Sequence, residues 1–191
     1  GKGRDAYVDF LQDVPDGVPT LAYFAGSLGI CYEKGLGVAQ SFREASRWYQ
    51  KAADKGHVRS MYRLGFFYRH GYGVMQDYST AFSYWNSAAS HDDPDSCLAL
   101  GEMYEEGTGV RQDQEEAAKW YTKAGGLGEA HAKNSLGCMY FEGRAVEQNL
   151  DEALRWYRLS AEQGNADAQN RLGSMYRDGL GVVQDYEEAL R

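Results

Sequence analysis

The sequence predicts an all-α protein built as a solenoid of paired helices. A motif of 36 residues recurs five times along the 191-residue chain, and apolar residues within each copy follow helical spacing. Glycine is abundant, with 23 residues, whereas proline occurs only 3 times. This balance indicates helices joined by repeated tight turns and argues against a disordered chain.

The repeat is defined by six columns of residues that recur in step. A Leu-Gly pair marks each unit, with tyrosine 4 and glycine 7 residues after the leucine. Valine, glutamine and alanine follow at 10, 12 and 17 residues after it. Six residue columns that recur at the same spacing in all five units cannot have arisen by chance. The leucines are Leu28, Leu64, Leu100, Leu136 and Leu172, and the predicted units span 21–56, 57–92, 93–128, 129–164 and 165–191, the last truncated.

The first helix of each unit is predicted from apolar residues at helical spacing, such as Leu64 and Phe67. The glycine after the leucine lies in mid-helix, where it costs about 1 kcal/mol relative to alanine. Its recurrence at Gly65, Gly101 and Gly137 predicts a neighbouring helix packed too closely for a Cβ atom. A Gly-x-Gly-Val turn then follows, because glycine readily adopts positive φ.

The second helix is predicted to begin at a capping residue. In four units a glutamate follows the cap three residues later, as in a capping box, whereas the second unit has Thr80 there. An aromatic pair lies in this helix, and its tryptophans are predicted to be core residues because they recur with the repeat. The caps are Ser41, Asp77, Asp113, Asn149 and Asp185, and the tryptophans are Trp48, Trp85, Trp120 and Trp156.

Glycines at the same column are predicted to end the second helices, at Gly56, Gly128 and Gly164. The second unit has Asp92 there, and Asp93-Pro94 is typical of an N-cap followed by the first residue of a helix.

The charge balance limits the classes of partner. Lysine and arginine number 20 and aspartate and glutamate 28, which gives a net charge of −8. Such a chain lacks the basic surface that nucleic acid or an anionic membrane requires. No stretch approaches the roughly 18 apolar residues of a membrane span, so no direct membrane insertion is expected.

The sequence offers no pattern for catalysis, a cofactor or a metal, and we predict none of these. The motifs of serine hydrolases, zinc proteases and P-loop proteins are absent. The three cysteines, Cys31, Cys97 and Cys138, follow no CxxC pattern and are interpreted as free thiols, which weakly favours a reducing compartment. The four histidines are interpreted as turn or surface residues.

The six columns resemble the Sel-1-like repeat family, a relative of the tetratricopeptide repeat, from about Leu21 to Arg191. The departures are Ala145 for the second loop glycine, and Gly125 and Ser160 for alanines. The resemblance implies a right-handed α/α superhelical solenoid of antiparallel helix pairs.

The two ends depart from the repeat. Residues 1–20 are off register and contain Pro15 and Pro19, so they are expected to form an N-terminal leader or cap. Arg191 lies within the fifth unit, before its aromatic pair. A solenoid end needs a polar cap, so the natural protein is expected to continue.

Candidate partner-binding residues are the first-helix positions that vary between units, opposite the repeating apolar positions. First helices of related repeats line a concave face, so the resemblance places these residues in a groove. Its N-terminal part is aromatic with an arginine and its C-terminal part is acidic; the alternative is that Ile30 and Phe66 are buried by packing. The candidates are Tyr23, Ile30, Arg59, Tyr62, Phe66, His70, Leu98, Glu102, Glu106, His131, Asn134, Glu142 and Asn170.

The expected function is that of a non-enzymatic scaffold or adaptor, which binds a protein or peptide along this groove. Two alternatives stay open. Some bacterial members of the family are linked to cell-wall or penicillin chemistry, although the Ser-x-x-Lys motif is absent here. The chain could also self-associate through its open solenoid ends. The partner and the compartment are not specified by the sequence.

Overall fold

The structure, a computed structural model, describes residues 20–190. Within this range the chain forms nine α-helices and one 3-10 helix, and no strand. The all-α prediction is therefore confirmed, and helices of repeating 36-residue units are consistent with a helical solenoid. The predicted leader lies outside the described residues, apart from Thr20, which begins the first helix.

The helices belong to two compact units, divided after Asp93. Within each unit every helix packs against the next along the chain, and α1 also contacts α3. The first unit contains α1 (Thr20–Lys34), α2 (Phe42–Ala53), α3 (Val58–His70) and α4 (Tyr78–Ala89). The second contains α5 (Pro94–Glu106), α6 (Gln114–Gly126), α7 (Ala130–Glu142), α8 (Leu150–Ala161), α9 (Ala166–Asp178) and the 3-10 helix Glu188–Leu190.

The predicted caps begin the second helices. The Ser41 hydroxyl accepts a hydrogen bond from the Glu44 amide at 3.2 Å, and the Asp77 carboxylate accepts from the amides of Ser79 and Thr80. Asp113, Asn149 and Asp185 cap in the same way. Pro94 is the first residue of α5, as predicted.

The second helices end earlier than predicted. They stop at Ala53, Ala89, Gly126 and Ala161. A short turn separates each end from the residue of the glycine column, which is Asp92 in the second repeat and glycine in the other three. That glycine has a positive φ, for example 83° at Gly56, so it reverses the chain after the helix rather than capping it. Asp92 takes the same conformation with φ 57°.

The glutamine column stabilises the turn that follows each first helix. The Gln76 amide nitrogen donates to the Arg69 carbonyl at 2.7 Å, which satisfies an acceptor left open at the helix end. Gln40, Gln112, Gln148 and Gln184 repeat this bond. Ala145, which replaces the second turn glycine, keeps the turn conformation at φ 60°.

The mid-helix glycines lie against aromatic rings of the second helices. A Cβ on Gly65 would stand 2.3 Å from the Trp85 indole nitrogen, and one on Gly101 would stand 2.5 Å from Tyr121 Cε1. Gly137 faces Tyr157 at the same distance of 2.5 Å. The predicted close approach is therefore confirmed.

The prediction that the four tryptophans are core residues holds for two of them. Trp48 and Trp85 are buried, but Trp120 and Trp156 are half-buried. The deepest ring in each unit is the second aromatic of the pair, because that ring packs on the glycine. These rings are Tyr49, Trp85, Tyr121 and Tyr157, each at most 1% exposed.

Candidate functional site

The first unit presents an aromatic and cationic surface on its first helices, which we call the aromatic strip: Tyr23, Arg59, Tyr62, Phe66 and His70. Tyr23 on α1 is 70% exposed, and its ring meets the His57 ring edge-on at 5.1 Å. The Arg59 guanidinium lies 5.5 Å from the centre of the Tyr62 ring. Two helices thus bring the predicted residues of this unit to neighbouring positions.

Phe66 is half-buried and packs against the core, and the Arg63 guanidinium lies 4.9 Å from the centre of its ring. Its ring lies 4.4 Å from the His70 ring and 5.8 Å from the Tyr72 ring. Tyr62 is also half-buried, while its main-chain carbonyl accepts a hydrogen bond from the Trp85 indole at 3.1 Å. Ile30 on α1 is 39% exposed. Both predicted apolar residues therefore keep some accessible surface.

The predicted residues of the second unit are polar apart from Leu98, and four of the seven are exposed. Glu106 accepts from the Thr108 hydroxyl at 3.0 Å, and Glu142 accepts from Arg144 at 2.5 Å. His131 lies 3.1 Å from the Glu129 carboxylate. Glu106, His131, Glu142 and Asn170 are exposed, whereas Leu98, Glu102 and Asn134 are half-buried. The buried Asn134 side-chain oxygen has no hydrogen-bond partner among residues 20–190.

Two histidines of the described chain, His57 and His70, have a pKa below the usual value. Burial lowers the pKa of His57, whose Nδ1 lies 2.8 Å from the Ser60 hydroxyl. Burial and the Arg69 charge lower the pKa of His70. Over residues 20–190, no group of three histidine, cysteine or acidic side chains is arranged to hold a metal ion.

A carboxylate network that the sequence did not predict joins the first helices of the first unit. Tyr49 donates its hydroxyl proton to Glu33 at 2.5 Å, and Arg63 of α3 pairs with the same carboxylate. Burial, with the Glu33 carboxylate, raises the pKa of Tyr49, so its hydroxyl stays protonated and donates at neutral pH. The residues are 16 and 30 positions apart, so no local motif reveals them.

The second unit has a related arrangement at Glu105, in which the arginine comes from the turn after α7 and Ser135 occupies the position of Arg63. The Glu105 carboxylate accepts from the Tyr121 hydroxyl at 2.6 Å and from Arg144 at 2.8 Å. Burial, again with the carboxylate, raises the pKa of Tyr121. The tyrosine that packs on a mid-helix glycine therefore also binds a carboxylate from the first helix.

A cleft of about 310 Å³ lies between α7, α8 and α9. Phe141, Met175 and Leu180 give it apolar walls, and Tyr157 and Arg171 add polar groups. Asn170, a predicted site residue, lines it as well.

Helix pairs in register, glycines beneath aromatic rings and capped second helices define a helical repeat protein. The family model described as Sel1 repeat matches residues 22–57, 58–93, 94–129, 130–165 and 166–191. The chain therefore belongs to the Sel1 repeat family. The matched units begin one residue later than those defined from the leucine column.

Solved structures show the same fold. A protective antigen present in uropathogenic Escherichia coli strains, c5321, is 37% identical with a TM-score of 0.85, over 88% of this chain and 36% of that one. A Sel1 repeat protein from Oxalobacter formigenes is 35% identical with a TM-score of 0.88, over 100% of this chain and 76% of that one. Helicobacter pylori cysteine rich protein B is 25% identical with a TM-score of 0.55, over 68% and 92% of the two chains.

This chain thus spans about a third of the length of the Escherichia coli protein. No curated protein shows a significant match to the sequence. Across the described residues, none of the helices combines the length and the apolar character that crossing a membrane demands.

Proposed function

We propose that this chain is a non-enzymatic interaction module that binds a protein segment along its first helices, with an aromatic or apolar anchor at Tyr62 and Phe66. Sel1 repeat proteins are generally protein-interaction scaffolds. The observation that carries the proposal is the aromatic strip, which combines exposed or half-exposed rings with an arginine. Tyrosine and arginine are the residue types most enriched in binding hot spots.

The strip also defines the kind of partner. Phe66 and Tyr62 provide ring faces for an apolar side chain, and Arg59 beside Tyr62 favours an acidic neighbour. The acidic first-helix residues of the second unit, among them Glu106 and Glu142, favour basic groups. A segment with an apolar side chain beside an acidic one therefore fits the aromatic strip of the first unit.

The test begins with a displayed peptide library selected on the whole chain, followed by calorimetry on a synthetic binder. Tyr62→Ser combined with Phe66→Ser is expected to weaken binding by at least about tenfold, because hot-spot side chains contribute about 2 kcal/mol or more. Tyr23→Ala provides a second variant, since a 70% exposed ring can be removed without disturbing the core.

Arg47→Ala is the matched control. Arg47 is exposed on α2, and its ion pair with Glu44 at 2.8 Å lies on the surface, where such pairs contribute little. The control should bind as the wild type does. If Arg47→Ala abolishes binding while the strip variants retain it and stay folded, the proposed surface is wrong.

A further inference from the structure

The repeat places a buried tyrosine in its first, third and fourth units, and in the fourth unit the carboxylate that binds this tyrosine is missing. The column five residues after the Leu-Gly leucine holds Glu33 in the first unit and Glu105 in the third, where tyrosine binds each one. The fourth unit has Phe141 at this position. The same chain therefore supplies both the filled and the unfilled form of one arrangement.

The filled form in the first unit shows which groups hold the carboxylate. Glu33 accepts from the Tyr49 hydroxyl at 2.5 Å and from the Arg63 side chain, whose Nε lies 3.2 Å away. Arg63 directly precedes the leucine of the next unit. One tyrosine and one arginine, drawn from two consecutive units, thus neutralise and orient a partly buried carboxylate.

The fourth repeat, which has Phe141 in place of the glutamate, still has the tyrosine and the arginine. Tyr157 occupies the position of Tyr49 and is 1% exposed, and its buried hydroxyl has no hydrogen-bond partner among residues 20–190. Arg171 occupies the position of Arg63, directly before Leu172, and is exposed. Over the same range Arg171 forms no ion pair with a carboxylate. Burial and the neighbouring Cys138 thiol raise the pKa of the Tyr157 hydroxyl, and the nearby Arg171 charge opposes that shift.

The cleft described above contains both groups. Its volume of about 310 Å³ is at the lower end of small-molecule sites. Asp178 also lines the cleft, but its carboxylate pairs with Arg177 at 2.8 Å, which balances its charge. Arg171 is exposed, so a ligand in the cleft can reach its guanidinium.

We propose that this cleft binds a carboxylate attached to an apolar group. The Tyr157 hydroxyl and the Arg171 guanidinium bind the carboxylate, as Tyr49 and Arg63 bind Glu33, while Phe141, Met175 and Leu180 contact the apolar part. A buried hydroxyl without a partner destabilises a protein, so a ligand that supplies an acceptor gains by satisfying it. The carboxylate can come from an acidic side chain, a chain terminus or a small organic acid.

The first experiment titrates the whole chain with 3-phenylpropanoate and, separately, with 3-phenylpropanamide, by NMR. The acid should bind and shift signals of α7, α8 and α9, and the amide should bind at least about tenfold more weakly, because charged acceptors form the stronger hydrogen bonds. Equal affinity for acid and amide, or no binding of the acid, would overturn the proposal.

Two variants remove one group each. Tyr157→Phe and Arg171→Gln should each weaken binding of 3-phenylpropanoate by about tenfold. Arg155→Gln is the matched control, because this exposed arginine of α8 pairs with Glu152 at 3.3 Å and does not line the cleft. If the control weakens binding as much as Arg171→Gln does, the effect is one of net charge and the proposed site is wrong.

A third variant restores the missing carboxylate. Phe141→Glu should place a glutamate against Tyr157 and Arg171, abolish binding of 3-phenylpropanoate and melt at a higher temperature than Phe141→Gln, which also removes the ring but adds no charge. If Phe141→Glu melts no higher than Phe141→Gln and still binds the acid, the comparison with Glu33 fails. The melting comparison needs no ligand.

Three peptides then distinguish the sources of the carboxylate. One ends in phenylalanine with a free carboxylate, one is the same peptide amidated, and one is amidated with an internal glutamate beside the phenylalanine. Selective binding of the first indicates a chain terminus, and binding of the third indicates an acidic side chain. Binding of 3-phenylpropanoate alone indicates a small acid. These measurements do not involve the aromatic strip, so either proposal can fail without the other.

Discussion

Replacing Gly101 with alanine should destabilise the second unit, although alanine is the better helix former. A Cβ at this position would stand 2.5 Å from Tyr121 Cε1 and 2.6 Å from Cδ1, well inside contact distance. The Tyr121 ring is 1% exposed and its hydroxyl is held by Glu105 at 2.6 Å. The ring therefore cannot turn away without breaking a buried hydrogen bond.

The magnitude follows from three contributions to the free energy of unfolding. Forcing an extra carbon into a packed core costs about 1–3 kcal/mol, and losing the bond to Glu105 adds about 1.5–3 kcal/mol if the ring moves. Alanine returns about 1 kcal/mol through its helix propensity. Because a Cβ at 2.5 Å forces the ring to move, the net expectation is a loss of about 1.5–5 kcal/mol.

The assay is urea denaturation followed by circular dichroism and by tryptophan fluorescence, since repeat proteins can depart from two-state unfolding. Gly126→Ala is the matched control in the neighbouring helix. Gly126 is the last residue of α6, and a Cβ there would meet no atom within 4 Å. The control should keep or raise the free energy of unfolding, by up to about 1 kcal/mol.

Opposite signs for the two substitutions would show that contact with the ring, and not backbone entropy, fixes glycine at this column. If Gly101→Ala is as stable as the wild type or more stable, the close-approach argument is refuted for all the mid-helix glycines.

Three further predictions concern stability and binding. Ala145→Gly should raise the free energy of unfolding in urea by about 1 kcal/mol, because an alanine with φ 60° carries roughly 1–2 kcal/mol of strain; a destabilised variant would contradict this. Since burial lowers the pKa of His57, the unfolded chain binds more protons, so the free energy of unfolding should fall as the pH drops from about 7 to about 5. His57→Gln should flatten that pH profile, and an unchanged slope would exclude His57 as its source. For a bound partner, Phe66→Ala should weaken the affinity at any salt concentration and Glu106→Lys mainly at low salt, whereas equal salt dependence would argue against the assigned roles.

The parts of the fold that the sequence predicts correctly are those set by local chemistry. Ser41 and Asp77 cap helices through atoms two or three residues away, and the cost of Gly65 in mid-helix signals close packing wherever it recurs. The ends of the second helices were harder to predict, because the chain leaves the helix at Ala53 before the expected glycine reverses it.

The tryptophan column shows how an apparent repeat can mislead. Trp85 is the second aromatic of its pair, and Trp48 is the first of its own. The deepest burial follows the position in the helix, so Tyr49 and Trp85 are equivalent, whereas tryptophans at the first position range from buried (Trp48) to half-buried (Trp156).

The candidate site, like the fold, could be predicted where local helical spacing decides, but not where residues distant in sequence meet. The sequence predicted that Tyr23 and Arg59 lie at the surface, because helical periodicity alone decides which positions face away from the core. It did not predict the network of Glu33 with Tyr49 and Arg63, whose members are distant in sequence and vary between units. The available signal was that the column of Glu33 holds glutamate in the first and third units, whereas the other units hold Arg69, Phe141 and Arg177.

The central claim is that the first helices, and not the second helices, bind a partner. Amide chemical-shift mapping of the whole chain, free and saturated with the selected peptide, tests this claim most directly. The account predicts that the largest shifts lie in α1 and α3 around Tyr23, Tyr62 and Phe66. Shifts concentrated in α2 and α4 around Arg47, with Tyr62 and Phe66 unaffected, would contradict it.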